Sequence, residues 1–428
     1  MNNHRKFLVF LGDCLTLFIS FVGTILISFP EDFNVQLASH AVPFILLYAV
    51  WLLVLYIFNL YDNQNIRIYL GNLSNTLFAF LVALSLGMLM FYLFPIFAIS
   101  PKTNLLINIG LFTTLFIGWR RIVSGVMAQT MFEKVLILGR SPESEQIKET
   151  LSKKNLFGYQ CVGIVDSIDE AVLSIKEHKV SKIIFAKHLN TIDLYKITRL
   201  GVDTLPLITM YERIYERIPL SLIDDTIAVE ILNKEKDIFY NITSRLLSIV
   251  VSLIILIVSL PFTIIVTLLI LLQDGFPILY THTRVGEKNK IFTVLKFRSM
   301  IKESEKHGAV WAGEKDPRIT RVGILLRKTH IDEIPQMINI LKGDISLVGP
   351  RPERPSFVKE LEDEVPYYFM RHIIKPGFTG WAQIKFRYAR SKEDSATKLE
   401  YDLFYLKNRS IALDFGILLK TIQIIFTH

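Results

Sequence analysis

The chain has 428 residues, 51% of them hydrophobic, with a mean hydropathy of +0.39 and a net charge of +8. That length asks for two or three folded units, and that apolarity points away from an ordinary soluble protein and toward membrane segments. Two cysteines, Cys14 and Cys161, build neither a disulfide framework nor a metal knuckle. With no basic-aromatic repeat or zinc-ligand spacing to favour nucleic acid, the positive charge points to anionic headgroups or phosphate-bearing substrates.

In chain order, four apolar runs come first, at roughly 7–29, 42–60, 73–97 and 105–119. Each is near the ~20 residues that cross a bilayer. Arg5 and Lys6 precede the first, Arg67 lies between the second and third, and Arg120 and Arg121 follow the fourth. Glu31 and Asp32 mark the first connection and Lys102 is the one discordant charge, so both ends of this bundle are placed in the cytoplasm. The first run lacks a small-residue cleavage site and reads as a retained span. Asp13 within it is expensive in lipid and is expected to face the bundle interior, as a helix contact without an intramembrane charge partner.

From Glu133 the texture turns to alternating strands and helices. Val135-Leu136-Ile137-Leu138 is a buried-strand run ending at Gly139. Strands follow at 161–165 and 182–186, with a helix at 168–178 between them. This predicts a parallel, Rossmann-like sheet. The dinucleotide fingerprint is broken, because Arg140-Ser141-Pro142 stand where two more glycines are needed, and Asp166 is no more than an ordinary acidic strand end. A structural or regulatory module fits better than a working NAD site.

A fifth apolar run covers 246–272. Lys234, Lys236 and Arg245 precede it, and Arg284, Lys288 and Lys290 follow. Both ends therefore favour the cytoplasm. Ser259 and Pro261 near its middle predict a kink, so the run is expected to enter one leaflet and return, a plain span being the alternative.

The stretch 328–355, KTHIDEIPQMINILKGDISLVGPRPERP, sets Asp332 and Glu333 before an amphipathic run of Ile334, Met337, Ile338 and Leu341 that ends at Gly343. Two readings of the acidic pair stand side by side: a helix cap that complements the dipole, or a catalytic pair. Around it lie KFRSM (296–300), DPRITRVG (316–323) and KPGFTGWAQ (375–383). So many Arg and Lys residues near one acidic pair beside a membrane suit a site that grips a phosphate diester.

With these motifs on the page, the chain resembles the bacterial sugar transferases, and in particular the large monotopic phosphoglycosyl transferases. The resemblance covers nearly the whole length. It implies a four-span transmembrane bundle (1–128), a degenerate Rossmann-like α/β domain (129–232), and a re-entrant membrane helix with an α/β catalytic domain (233–428). It implies transfer of a sugar-1-phosphate from a UDP-sugar to undecaprenyl phosphate, with release of UMP, at the start of exopolysaccharide, capsule or O-antigen synthesis. Asp332 carries over as the nucleophile and Glu333 as a Mg²⁺ ligand or a base, with Asp332 and Glu333 together as the Mg²⁺ site.

Lys296, Arg298, Arg318 and Arg351 carry over as phosphate or nucleotide contacts, Asp414 as an acidic residue near the substrate, and Ser259 and Pro261 as the kink. Arg327 and Lys328 are weaker candidates, Glu353 is read as a surface ion pair, and Trp381 is expected at the lipid interface. A homodimer in the bacterial inner membrane, with both soluble domains cytoplasmic, is also implied. Ser248, His282 and Lys385-Phe386-Arg387 depart from the family wording; the first bears on helix anchoring and the others on substrate choice. The rival readings are a membrane-tethered sugar-nucleotide oxidoreductase or dehydratase and a non-enzymatic scaffold.

Overall fold

The computed structural model describes residues 3–58, 60–61, 70–93, 101–130, 133–153, 159–186, 190–233, 237–301, 316–386 and 391–426. Arg67, Lys234, Lys236 and Arg387, all named above, lie outside them. The chain divides into two compact units, Met1–Met210 and Tyr211–His428.

In the first unit, α1 (Asn3–Ser28), α2 (Phe33–Ile57), α3 (Leu70–Leu93) and α4 (Pro101–Thr130) correspond to the four apolar runs. Among the described residues three of these helices, over Phe7–Ser28, Phe33–Ile57 and Thr103–Val123, are long and apolar enough to cross a membrane, and a fourth such helix lies in the second unit. The run expected at 73–97 contributes a shorter apolar stretch, Ala79–Tyr92, and its last residues lie outside the described ones.

Asp13 is fully buried, as expected, but the expectation that it lacks a charge partner is overturned. Arg120, read from sequence as a flanking charge, reaches in and meets it at 2.6 Å. The same guanidinium donates to the Leu60 carbonyl at 2.8 Å and lies over the Tyr61 and Phe116 rings. A fixed acid in an apolar bundle is tolerated when paired and hydrogen-bonded. Asn108 forms a second polar knot, donating to Thr24 at 3.0 Å and to Tyr48 at 2.8 Å.

The α/β region follows as β1 (Glu133–Leu138), α5 (Pro142–Lys153), β2 (Tyr159–Val165), α6 (Ile168–His178), β3 (Lys182–Phe185), α7 (Thr191–Thr198) and β4 (Asp203–Pro206). The strands are parallel in the order β2-β1-β3-β4. The apolar run of β1 sits inside the sheet, as a strand covered on both faces should, and Leu136 and Leu138 pack with Ile175, Ile183 and Val202. β4 was not foreseen, because Asp203-Thr204-Leu205-Pro206 is too short and mixed to show a strand period.

At the turn after β1, the N–H of Arg140 donates to Asp166, and Ser141 and Ser144 bond each other's backbone N–H groups. Donors that would face a pyrophosphate in a dinucleotide site are taken by the chain's own side chains.

The boundary between the units falls within α8 (Leu207–Tyr215), and the second unit runs on through α9 (Asp225–Asn233) to the 37-residue α10 (Ile238–Asp274), capped at its start by Asp237. Then come the antiparallel pair β5 (Leu279–Val285) and β6 (Ile291–Phe297), α11 (Arg321–Lys328), α12 (Gln336–Lys342), β7 (Ser346–Val348), α13 (Pro355–Glu364), β8 (Gly377–Thr379), α14 (Trp381–Lys385), α15 (Lys392–Asn408) and α16 (Ile411–Phe426). β7 and β8 pair in parallel. Their backbones come so close that a Cβ on Gly377 would stand 2.0 Å from the Gly349 nitrogen, so only glycine fits there.

α12 is the hub of this unit. Met337 and Ile340 pack with Ile345 and Leu347, against Val251, Ile255 and Leu256 of α10. Asn339, almost fully buried, donates to the Thr293 carbonyl at 2.7 Å and accepts the Leu295 N–H at 3.0 Å, pinning α12 to β6. Arg245 of α10 donates to the carbonyls of Ile340 and Leu341, satisfying the free C-terminal end of α12.

Trp381 is buried, stacked on Phe404 with its Nε1–H on the Glu216 carbonyl, and so is not at a lipid interface. Lys385 pairs with Glu216. Ser248 accepts the Leu347 N–H at 3.3 Å, so the departure there leaves α10 anchored by a hydroxyl.

Candidate active site around Asp332 and Glu333

The acidic pair sits on a single 3₁₀ turn, Ile331–Glu333, entered through His330 in the left-handed region at φ 55°. α12 begins only at Gln336, with Pro335 at its cap position and no side-chain cap. The cap reading therefore fails: neither carboxylate caps the helix, and a seven-residue helix offers little dipole. The predicted apolar face is also rotated. Ile338 is exposed, while Ile340 is buried beside Met337. Gly343 ends the helix as expected, at φ 92°.

Both acids are buried, at 6% and 9% exposure, yet their surroundings differ. Glu333 Oε1 accepts from Lys296 Nζ at 2.6 Å and from Arg351 Nη2 at 3.1 Å. Burial by itself pushes a carboxyl up, but these two cations more than reverse it and hold Glu333 well below the usual carboxylate range. Among the described residues the Asp332 carboxylate accepts no hydrogen bond. Burial raises its pKa, Lys296 and Arg327 oppose that, and the neighbouring Glu333 charge adds to it. One acid is engaged by two cations, and the other accepts no hydrogen bond among the described residues.

Each partner is held from behind. Lys296 comes from β6, which Asn339 ties to α12. Arg351 follows Gly349-Pro350, and its carbonyl accepts Arg371 Nη2 at 3.0 Å; Arg371 pairs in turn with Asp402 of α15 at 2.9 Å. Arg371, Asp402 and Asn339 were not singled out from sequence, and Arg245 was read only as a basic flank of the fifth apolar run. A lone Arg or Asn inside an apolar run was the only signal.

The remaining expected contacts are turned elsewhere. Arg298 Nη2 donates to the Gly275 carbonyl at 2.7 Å, at the end of α10, while its Nε and Nη1 have no partner among the described residues. Arg318 closes on Asp316 at 2.6 and 2.9 Å. Asp414 is not beside the pair. It lies in a separate buried knot, accepting the Tyr240 and Tyr405 hydroxyls at 2.8 Å each, where burial, against those hydroxyls, pushes its pKa up to about 6. Arg327 donates to Ser299, and Glu353 forms an ion pair with Arg284 at 3.6 Å that is half-buried and not on the open surface expected.

Asp332 and Glu333 are the residues that could hold a divalent cation here. Among the described residues no group of three or more His, Cys, Asp or Glu side chains converges. Asp332 and the free Oε2 of Glu333 are two adjacent oxygen donors, which suits Mg²⁺, an ion that keeps waters and takes one or two carboxylates together with substrate phosphate.

Residues 239–428 match the family described as bacterial sugar transferase. A putative undecaprenyl-phosphate N-acetylgalactosaminyl 1-phosphate transferase of Bacillus subtilis is 45% identical over 137 residues, which are 32% of this chain and 76% of that protein. The chain belongs to the bacterial sugar transferase family.

Two further family members extend the comparison. The UDP-N-acetylgalactosamine-undecaprenyl-phosphate N-acetylgalactosaminephosphotransferase of Aeromonas hydrophila is 47% identical over 167 residues, 39% of this chain and 40% of that one. The UDP-glucose:undecaprenyl-phosphate glucose-1-phosphate transferase of Klebsiella pneumoniae is 29% identical over 312 residues, 68% of this chain and 67% of its own. The match to the Aeromonas family member thus spans two-fifths of that protein's length.

Proposed function

We propose that this bacterial sugar transferase moves a sugar-1-phosphate from a UDP-sugar to undecaprenyl phosphate and releases UMP. The observation that carries the reading is the asymmetry of the buried pair. A carboxylate oxygen of Asp332 attacks the phosphorus that bears the sugar, and the bond from that phosphorus to the UMP oxygen breaks. An oxygen of undecaprenyl phosphate then attacks the same phosphorus, the acyl-phosphate bond breaks, and Asp332 leaves as carboxylate. Lys296 and Arg351 hold Glu333 ionised and sit where phosphate oxygens gather charge. Mg²⁺ bound by Asp332 and Glu333 would offset the charge of the diphosphate.

The α10 helix is read as re-entrant. A straight 37-residue helix is about 55 Å long, well beyond a bilayer core. Both of its ends pack on one unit: Tyr240 meets Tyr405 and Asp414, while Val266 and Ile270 pack with Phe297 and Leu326. A plain span would carry those ends to opposite sides of the membrane. Pro261, with Ser259 bonded to the Leu256 carbonyl inside the continuous helix, is where the proposed bend would lie. The parallel sheet is read as a Rossmann-like module without a dinucleotide role. The three-part organisation at 1–128, 129–232 and 233–428, the cytoplasmic placement of both soluble parts at the inner membrane, and a homodimer complete the proposal.

The test is trapping. Full-length protein in nanodiscs, given UDP-sugar labelled in the sugar and no acceptor, should carry covalent label that undecaprenyl phosphate discharges. Label that persists in Asp332→Asn, or release of UDP in place of UMP, would sink the mechanism.

A further inference from the structure

We propose that a cavity at the N-terminal end of α10 holds the headgroup of an anionic phospholipid of the bilayer, apart from the Asp332 site and independent of the reaction proposed there. The cavity measures about 520 Å³. Ile242, Leu246, Ile345 and Ile374 give it apolar walls, and Arg245 and Lys375 give it a cationic end. Ile242 and Leu246 are 58% and 59% exposed, continuous with the exposed Phe239 and Val250 on the same helix. The cavity thus opens onto an apolar helix face, where an acyl chain would lie.

The cationic end is built. A Cβ on Gly343 would stand 3.5 Å from Arg245 Nη2 and 3.7 Å from Lys375 Nζ, so these two cavity-lining cations are near neighbours, flanking Gly343. Arg245 has only neutral carbonyls as hydrogen-bond acceptors, and the Lys375 ammonium has no partner among the described residues. Arg409 also lines the cavity, against one lining acid, Glu287. Asp414 lies behind the floor and is turned into Tyr240, Tyr405 and Ser244. Neighbouring cations that share so little negative charge are stabilised by an anion between them, and a phosphate oxygen is matched to both ammonium and guanidinium.

The reacting lipid is a poor fit to this position. None of Asp332, Glu333, Lys296 or Arg351 lines the cavity. Arg245 grips the chain at Ile340 and Leu341, in the last turn of α12, whereas Asp332 lies on the 3₁₀ turn that precedes that helix. The cavity and the acidic pair thus sit at opposite ends of α12, which assigns the cavity to a bilayer phospholipid.

Native mass spectrometry of the full-length protein, released from nanodiscs with equal phosphatidylglycerol and phosphatidylcholine, tests this. The wild type should retain phosphatidylglycerol in preference. Lys375→Gln should lower that retention about fivefold, as expected for loss of one cation at a lipid surface, and Ile242→Trp, which fills the mouth, should lower it as well. Equal retention of both lipids, unchanged retention in both variants, displacement by millimolar inorganic phosphate, or exclusive retention of polyprenyl phosphate would each overturn the assignment.

Discussion

Two buried ion clusters, one in each unit, show how the same chemistry serves two ends. In the helical bundle one acid meets one base: Asp13 and Arg120 are 0% and 1% exposed, and the guanidinium is further engaged by a carbonyl and two rings. In the second unit two acids share the cations unequally, Glu333 taking both Lys296 and Arg351 and leaving Asp332 without a hydrogen bond among the described residues. A balanced, sealed pair fixes helices against each other. An unbalanced one stores reactivity, because a buried carboxylate lacking donors gains by engaging an electrophile or a metal.

The largest effect that can break this contrast comes from the unbalanced side. Asp332→Asn should lower UMP release by roughly 10³-fold or more while leaving the unfolding midpoint near that of the wild type. A variant that is active, or inactive only because it unfolds, would return Asp332 to a structural role. On the balanced side, Arg120→Leu strands a buried acid and should cost about 3–5 kcal/mol, read as a lowered midpoint in detergent. Adding Asp13→Leu should restore much of it. If the double variant is no better than the single, the pair is not what holds the bundle.

Lys296→Met probes the junction of charge and reactivity, with an expected drop in turnover of about 100-fold. It also has a pH signature. As the proposed nucleophile Asp332 must be ionised, and burial holds its pKa above the ordinary carboxylate value, so activity rises with pH through that raised pKa. Lys296 pulls the pKa down, so its removal should move the acid limb of the rate profile to higher pH. An unmoved limb would mean that Lys296 does not act on Asp332. The smallest effect is Gly343→Ala, which forces φ 92° on an L side chain with room for its Cβ and should cost about 1 kcal/mol in stability.

Much of this protein was legible along the chain. The apolar runs, the strand run of β1, the helix at Ile168–His178 and the motifs around Asp332 are local signals, and local signals survive in one dimension. The short strand β4 was lost because four mixed residues carry no period. Arg120 was misplaced because hydropathy reads a charge at a helix end as a flank, and only the packing of α4 against α1 turns it inward to Asp13.

Sequence alone thus pointed to the class of chemistry: an Asp-Glu pair among basic residues beside a membrane, in wording that resembles the sugar transferases and makes Asp332 the candidate nucleophile. It left open whether the pair was a cap, and which acid the cations would claim. Tertiary structure decided both. The 3₁₀ turn at Ile331–Glu333 holds the pair clear of α12, and β6 and the Pro350-Arg351 segment, some forty residues and twenty residues away in sequence respectively, bring Lys296 and Arg351 to Glu333. The difference between two adjacent carboxylates is set by burial and by cations arriving from distant elements, and neither quantity is written in the order of residues.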